Sequence, residues 1–153
     1  MKKLKPTNSF KMKFTAKSQN ESFSRAVAGA FVSQLDPTLE ELCDIKTAVS
    51  EAVTNCIVHA YDDSYPESKR TIKLEGYYDE TSLLTITVKD SGCGIEDISK
   101  AMQPMYTTGN DERSGMGFSI MQCFTDRLTV KSVIGKGTTV TLKKYIGKQE
   151  NDS

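Results

Sequence analysis

The chain has 153 residues, 37% hydrophobic and 26% charged, with 10 Gly and 4 Pro, which suits one globular domain and excludes a disordered, collagen-like or disulfide-scaffold protein. Lys+Arg and Asp+Glu each number 20, so no net charge draws the chain to nucleic acid or anionic lipid, and only a local patch could do so. No apolar run approaches the roughly 20 residues of a membrane span, and none follows the basic start at 1–6 as a signal peptide would require. The expectation is a cytoplasmic protein with a single domain over 8–146 and flexible termini at 1–7 and 147–153.

Residues 10–16 alternate, with Phe10, Met12 and Phe14 on one side and Lys11, Lys13 and Thr15 on the other, the pattern of a half-buried strand. Ser18-Gln19-Asn20-Glu21 has the form of a capping box, and Phe23, Val27, Ala30 and Phe31 then recur at helical spacing. With Ala26, these residues are expected to form the buried face of a first helix, leaving Arg25 exposed. After Asp36-Pro37, a second capping box at Thr38 and Glu41 opens a longer helix. Its apolar stripe is Leu42, Ile45, Val49, Ala52, Val53, Cys56 and Ile57, and it runs to about His59 or Tyr61.

A polar loop at 62–69 leads to two strand signals, 71–78 and 82–89, joined by a turn at Asp79-Glu80-Thr81. Residues 102–114 lack periodicity. Phe118, Ile120, Met121 and Phe124 predict another helix, and 127–132 with 138–143 predict a closing hairpin around Gly135-Lys136-Gly137. Strands and helices are grouped, not alternating, so an α+β fold follows: a mostly antiparallel sheet with helices on one face. The four cysteines, Cys43, Cys56, Cys93 and Cys123, form no C-x-x-C pair, and the chain has one histidine, so the ligand spacing of a structural zinc site is missing. Reduced thiols are expected, with Cys43 and Cys56 acting as small buried hydrophobes.

Four local features carry chemistry. Glu51 and Asn55 lie about 40° apart on the second helix, on a stripe with Asp44, Ala48 and His59. Taken alone, that stripe reads as a solvated polar face. Asp90-Ser91-Gly92-Cys93-Gly94-Ile95 ends an apolar strand, where glycines let a flat ligand approach the backbone and Asp90 offers a carboxylate. Residues 107–118, TTGNDERSGMGF, run a polar loop into a glycine-rich helix start, which aims free N–H groups at a phosphate, and Arg113 adds a fork of donors. Neither G-x-G-x-x-G nor G-K-[ST] is present, so this is no Rossmann fingerprint or P-loop. Gly135-Lys136-Gly137-Thr138 alone is an ordinary hairpin.

In order, E-x-x-x-N on a helix, D-x-G-x-G, a loop ending in G-x-G, and G-x-G-T before a last strand resemble the GHKL (Bergerat-fold) ATP-binding family over roughly 50–142. The segments SQNESFSR at 18–25, QLDPT at 34–38, IKTAVSEAVTN at 45–55 and RSGMGF at 113–118 narrow the likeness to the sporulation-type anti-sigma kinases of that family. The resemblance implies a two-layer α/β sandwich, ATP as substrate with ADP as product, and Mg2+. It further implies a homodimer that sequesters a sigma factor (sigma F) and phosphorylates a serine on an anti-anti-sigma protein, with no direct nucleic-acid or membrane contact.

Carried over residue by residue, the resemblance makes Glu51 the general base and Asn55 an ATP contact and magnesium ligand. Asp90 accepts from the adenine amino group, with Gly92 and Gly94 beside it and Thr138 assisting through water. Thr107, Thr108, Arg113, Ser114, Gly115, Met116, Gly117 and Phe118 belong to the phosphate-binding segment. Glu21, Ser22 and Arg25 are the implied partner contact. A general-stress-type anti-sigma kinase and a non-catalytic, nucleotide-gated binding module are the competing readings. A histidine kinase would need a phosphoacceptor on a separate hairpin, whereas His59 lies in the helix of Asn55.

Overall fold

The computed structural model describes residues 5–103 and 117–147. Its strands are β1 (Asn8–Thr15), β2 (Thr71–Tyr78), β3 (Leu83–Asp90), β4 (Arg127–Val133) and β5 (Gly137–Tyr145). They form one antiparallel sheet in the order β1-β2-β3-β5-β4, so β1 and β4 are its edges. Strand alternation sorts the side chains between two faces. Met12, Leu74, Val88, Val140 and Val130 share one inward level, and Phe10, Gly76, Ile86, Leu142 and Leu128 the next. Ile72, Leu74, Leu84, Ile86, Val88 and Leu142 are fully buried.

On the inward side lie α1 (Gln19–Val32), α2 (Leu39–Asn55) and α4 (Gly117–Phe124), with α2 packed against both of the others. A short α3 (Ile98–Ala101), capped by Asp97, has no counterpart in the sequence pattern. Apart from it, the antiparallel sheet with helices on one face is the fold expected. Among the described residues no helix is long and apolar enough to cross a membrane.

The capping box of α2 is formed: Glu41 N donates to Thr38 Oγ1 at 3.0 Å and Thr38 N to Glu41 Oε1 at 2.9 Å. Such a cap contributes about 1 kcal/mol. Ile45, Val49, Ala52, Val53 and Cys56 are buried as their spacing requires. Ala48, placed by spacing on the polar stripe, is also fully buried, because α1 and α4 flank α2 and widen its buried arc. Cys43 is exposed, contrary to expectation, since it stands two residues before Ile45 and about 200° round the helix.

The first helix departs from its pattern twice. The side chain of Ser18 makes no capping hydrogen bond; the Glu21 carboxylate instead accepts from Ser50 Oγ on α2 and pairs with Arg25 Nε at 3.5 Å. The buried face is Ser24, Ala28, Gly29, Phe31 and Val32, whereas Phe23, Ala26 and Ala30 are exposed. Close approach to α2 explains the choice. A Cβ on Gly29 would lie 3.1 Å from Lys46 Cδ, so small residues take that contact. Two aromatic pairs tie β1 to α1, Phe10 with Phe31 (centroids 4.7 Å apart) and Phe14 with Phe23 (6.3 Å).

Candidate functional site

The inward level that begins with Phe14 and Ile72 ends on a carboxylate, Asp90, only 6% exposed. Asp90 Oδ1 accepts from Gly92 N at 2.9 Å and from Thr138 N at 3.2 Å, tying the D-x-G-x-G turn to the start of β5. The turn lies directly against the end of α2. A Cβ on Gly92 would stand 2.1 Å from the Ala60 carbonyl oxygen, which itself accepts from Cys93 N at 2.8 Å. Gly94 has φ +84° and a Cβ there would meet Val133 O at 2.6 Å, so any side chain is excluded twice over.

Residues Cys56–Ala60 continue α2 as a single π-helical turn, a form that concentrates at functional sites. It brings the carbonyl oxygens of His59 and Ala60 to Cys93, whose Sγ is 3.4 Å from His59 O. The buried Cys56 lines the same cleft as Asp90. Burial first, then the Asp90 charge, hold its pKa well above the usual thiol value, so it stays protonated. Tyr61 Oη donates to Thr71 O at 2.6 Å and accepts from Ser91 N at 2.8 Å. Burial raises the Tyr61 pKa, the Ser91 N–H opposes that rise, and the Asp90 charge adds to it.

Together these elements bound a cleft of about 1060 Å³, the scale of a nucleotide-sized site. Asn55, Asp90, Gly94, Phe118 and Thr138 line it, with Ala52, Ile95 and Val140 as apolar walls. Gly117 opens α4 against Asn55; a Cβ there would lie 3.1 Å from Asn55 Nδ2 and 3.2 Å from Oδ1. Residues far apart in sequence thus converge on one recess, with a buried acceptor at one end and a helix start at another. Glu51 is half-buried one turn before Asn55 and is not among the lining residues. Glu21, Ser22 and Arg25 stand on α1, and Glu21 reaches α2 at Ser50, the residue before Glu51. Thr107, Thr108, Arg113, Ser114, Gly115 and Met116 lie outside the described residues.

Three contributors escape the sequence pattern. Cys56 reads as core, Tyr61 as a helix end, and Ser132 as a strand residue. Yet Ser132 Oγ accepts from Ile95 N at 2.7 Å and lies 2.8 Å from Thr138 Oγ1. Only the Ser132–Thr138 pairing was within reach, because the predicted hairpin sets those two residues opposite each other. Among the described residues no group of three or more His, Cys, Asp or Glu could hold a metal ion. The single amide oxygen of Asn55 fits a magnesium ion held chiefly by phosphate and water.

A family described as histidine kinase-like ATPase domain matches residues 14–144. The anti-sigma F factor of Caldanaerobacter subterraneus subsp. tengcongensis is 56% identical over 142 residues, covering 92% of this chain and 96% of that protein. The anti-sigma F factor of Geobacillus kaustophilus is 49% identical over 144 residues, covering 94% and 96%. The chain belongs to the anti-sigma F factors of the histidine kinase-like ATPase family. Two solved structures share the fold of this anti-sigma F family member. One holds the RsbU and RsbW domains of a Mycobacterium tuberculosis protein (TM-score 0.69, 17% identity, 94% of this chain and 34% of that one). The other is the SiaB–SiaC complex of Pseudomonas aeruginosa (TM-score 0.64, 8% identity, 88% of each chain). Membership in an ATPase-domain family implies nucleotide binding, and every described residue of the cleft falls within the matched span.

Proposed function

We propose that the chain binds and inhibits sigma F and uses ATP to phosphorylate a serine on its anti-anti-sigma protein, as a cytoplasmic homodimer of one domain over 8–146. The observation that carries this reading is Asp90, a carboxylate buried at the end of β3 in the same cleft as Asn55. Two backbone N–H groups occupy part of its acceptor capacity, and the remainder suits an adenine amino group. Gly92 and Gly94 let the turn pack onto the Ala60 and Val133 backbone and so set the adenine edge, and Thr138 closes it.

At the phosphate end, Asn55 holds Mg2+, which neutralises phosphate charge when bound. Gly117 and Phe118 at the start of α4, with Thr107, Thr108, Arg113, Ser114, Gly115 and Met116 by the family resemblance, bind the phosphates. The Glu51 carboxylate takes the proton of the partner's serine hydroxyl as that oxygen attacks the γ-phosphorus. The bond to the β,γ-bridging oxygen breaks and ADP leaves. Glu21, Ser22 and Arg25 contact the sigma factor, the anti-anti-sigma protein, or both. The test is incubation with labelled ATP, Mg2+ and a candidate anti-anti-sigma protein. Label on a partner serine is the expected result. Label on His59, or nucleotide binding with no label on any partner, overturns the serine-kinase reading.

A further inference from the structure

The outward face of the sheet carries a charge pattern that neither the cleft nor α1 uses. Cross-strand pairing sets Lys13, Lys73, Lys89, Thr139 and Lys131 at one level across all five strands. The adjoining level adds Lys11 opposite Glu75, and the level beyond it Lys143 opposite Arg127. Lys11, Lys13, Lys73, Lys89, Arg127 and Lys131 are exposed, and Glu75 is the one acidic residue in these outward strand rows. In a chain of zero net charge this is segregation, not excess. The ion pairs among the described residues are Lys17–Glu67, Arg25–Glu21 and Lys144–Asp44, so none of them neutralises the row.

The plain explanation of strand lysines is protection of sheet edges against pairing with other chains. It covers Lys11 and Lys13 on β1, and Arg127 and Lys131 on β4. It does not cover Lys73 on β2 or Lys89 on β3, which are interior strands. Like charges directly across strands destabilise a sheet, and the run Lys13–Lys73–Lys89 places three in succession. Edge protection does not account for that repulsion on the interior strands.

We propose that this face is a docking surface for an acidic helix of a partner protein. Strands lie about 4.8 Å apart, and carboxylates at i and i+4 on a helix lie about 5–6 Å apart. A helix crossing the strands therefore sets successive carboxylates over successive positions of the row. Four strand gaps span about 19 Å, or about 13 helical residues. Thr87, Thr139 and Thr141 supply hydroxyl donors between the lysines. A second copy docking by its own sheet face would set these lysines against themselves. The lysine row itself holds no aromatic side chain and no arginine, and the face's Tyr77 and Arg127 stand two levels away from it, so the stacking and forking contacts that nucleic acid uses are not grouped with the lysines. The proposal does not depend on the cleft, since the row is on the sheet face away from the helices.

The test uses the full chain and three fluorescent probes in anisotropy titrations at low and moderate salt: a 14-residue helical peptide with glutamates at i, i+4 spacing, its lysine counterpart, and a short DNA duplex. The glutamate peptide is expected to bind the wild type, to lose at least about tenfold in affinity with Lys73→Glu/Lys89→Glu, and to be unaffected by Lys69→Glu off the face. The lysine peptide is expected to bind the doubly reversed variant and not the wild type, a gain that misfolding would not produce. Lys73→Gln/Lys89→Gln gives the same loss without charge reversal. Absent binding of the glutamate peptide, equal affinity for wild type and double variant, or tighter binding of the duplex through the same lysines overturns the proposal.

Discussion

Replacing Asp90 by asparagine removes a charge while keeping the volume of the side chain. The new amide oxygen can retain the hydrogen bonds from Gly92 N and Thr138 N, now at 2.9 and 3.2 Å. Its –NH2 group then stands where the second carboxylate oxygen stood. The adenine amino group is a donor, so it meets a donor in place of an acceptor. A buried donor without a partner costs about 1–3 kcal/mol, which corresponds to roughly a 5- to 150-fold rise in Kd. Because ATP and ADP share the adenine, both affinities are expected to fall by the same factor. Calorimetric titration of each nucleotide into the variant, with circular dichroism to confirm folding, measures it. Unchanged affinity for both nucleotides would refute the adenine contact, and a loss confined to ATP would move Asp90 to the phosphate end.

Glu51→Ala is expected to slow single-turnover phosphoryl transfer by roughly 10²–10⁴-fold while nucleotide titrations stay near wild type, because Glu51 does not line the cleft; a near-normal rate removes it from the chemistry. Arg25→Ala should fold and bind nucleotide normally yet lose about 2 kcal/mol or more of affinity for sigma F, the anti-anti-sigma protein, or both, as read by calorimetry with each. Wild-type affinity for both partners would reduce its ion pair with Glu21 to a surface contact. The raised pKa of Cys56 makes the unfolded chain release the thiol proton first, so stability present at neutral pH is lost as pH rises past about 8.5. Urea melts at neutral and alkaline pH should show a smaller pH-dependent loss in Cys56→Ala than in wild type, and equal losses would contradict the buried-thiol account.

Local grammar made most of the fold legible. The Thr38–Glu41 cap, the stripe from Ile45 to Cys56 and the alternation of 71–78 each express a period or a hydrogen bond between near neighbours. What spacing cannot decide is which of two apolar stripes a helix buries. On α1, Phe23 and Ala30 looked inward, but the closeness of α2 selected Ala28 and Gly29. Glu21 likewise had a local partner in Ser18 and took a distant one, Ser50. In the cleft, Asn55, Asp90, Gly94 and Thr138 were singled out by motif order, and the structure brings them together. The bracing of the turn by Tyr61 depends on the π-helical turn and on atoms supplied by other strands, which no one-dimensional pattern encodes.

The pairing of β1 with β2, from Asn8 opposite Tyr78 to Thr15 opposite Thr71, has a consequence for how the chain is born. A ribosome adding about 5–20 residues per second keeps β1 waiting roughly 3–14 s before its partner strand has been synthesised. Through that interval the apolar side of β1 has one native cover already made, the helix that follows it, through Phe10 on Phe31 and Phe14 on Phe23. Those ring contacts are a nascent-chain shelter as well as a part of the finished core. A ribosome stalled before residue 71 would leave the backbone of β1 unpaired, and that is the stage at which a chaperone has the most to hold.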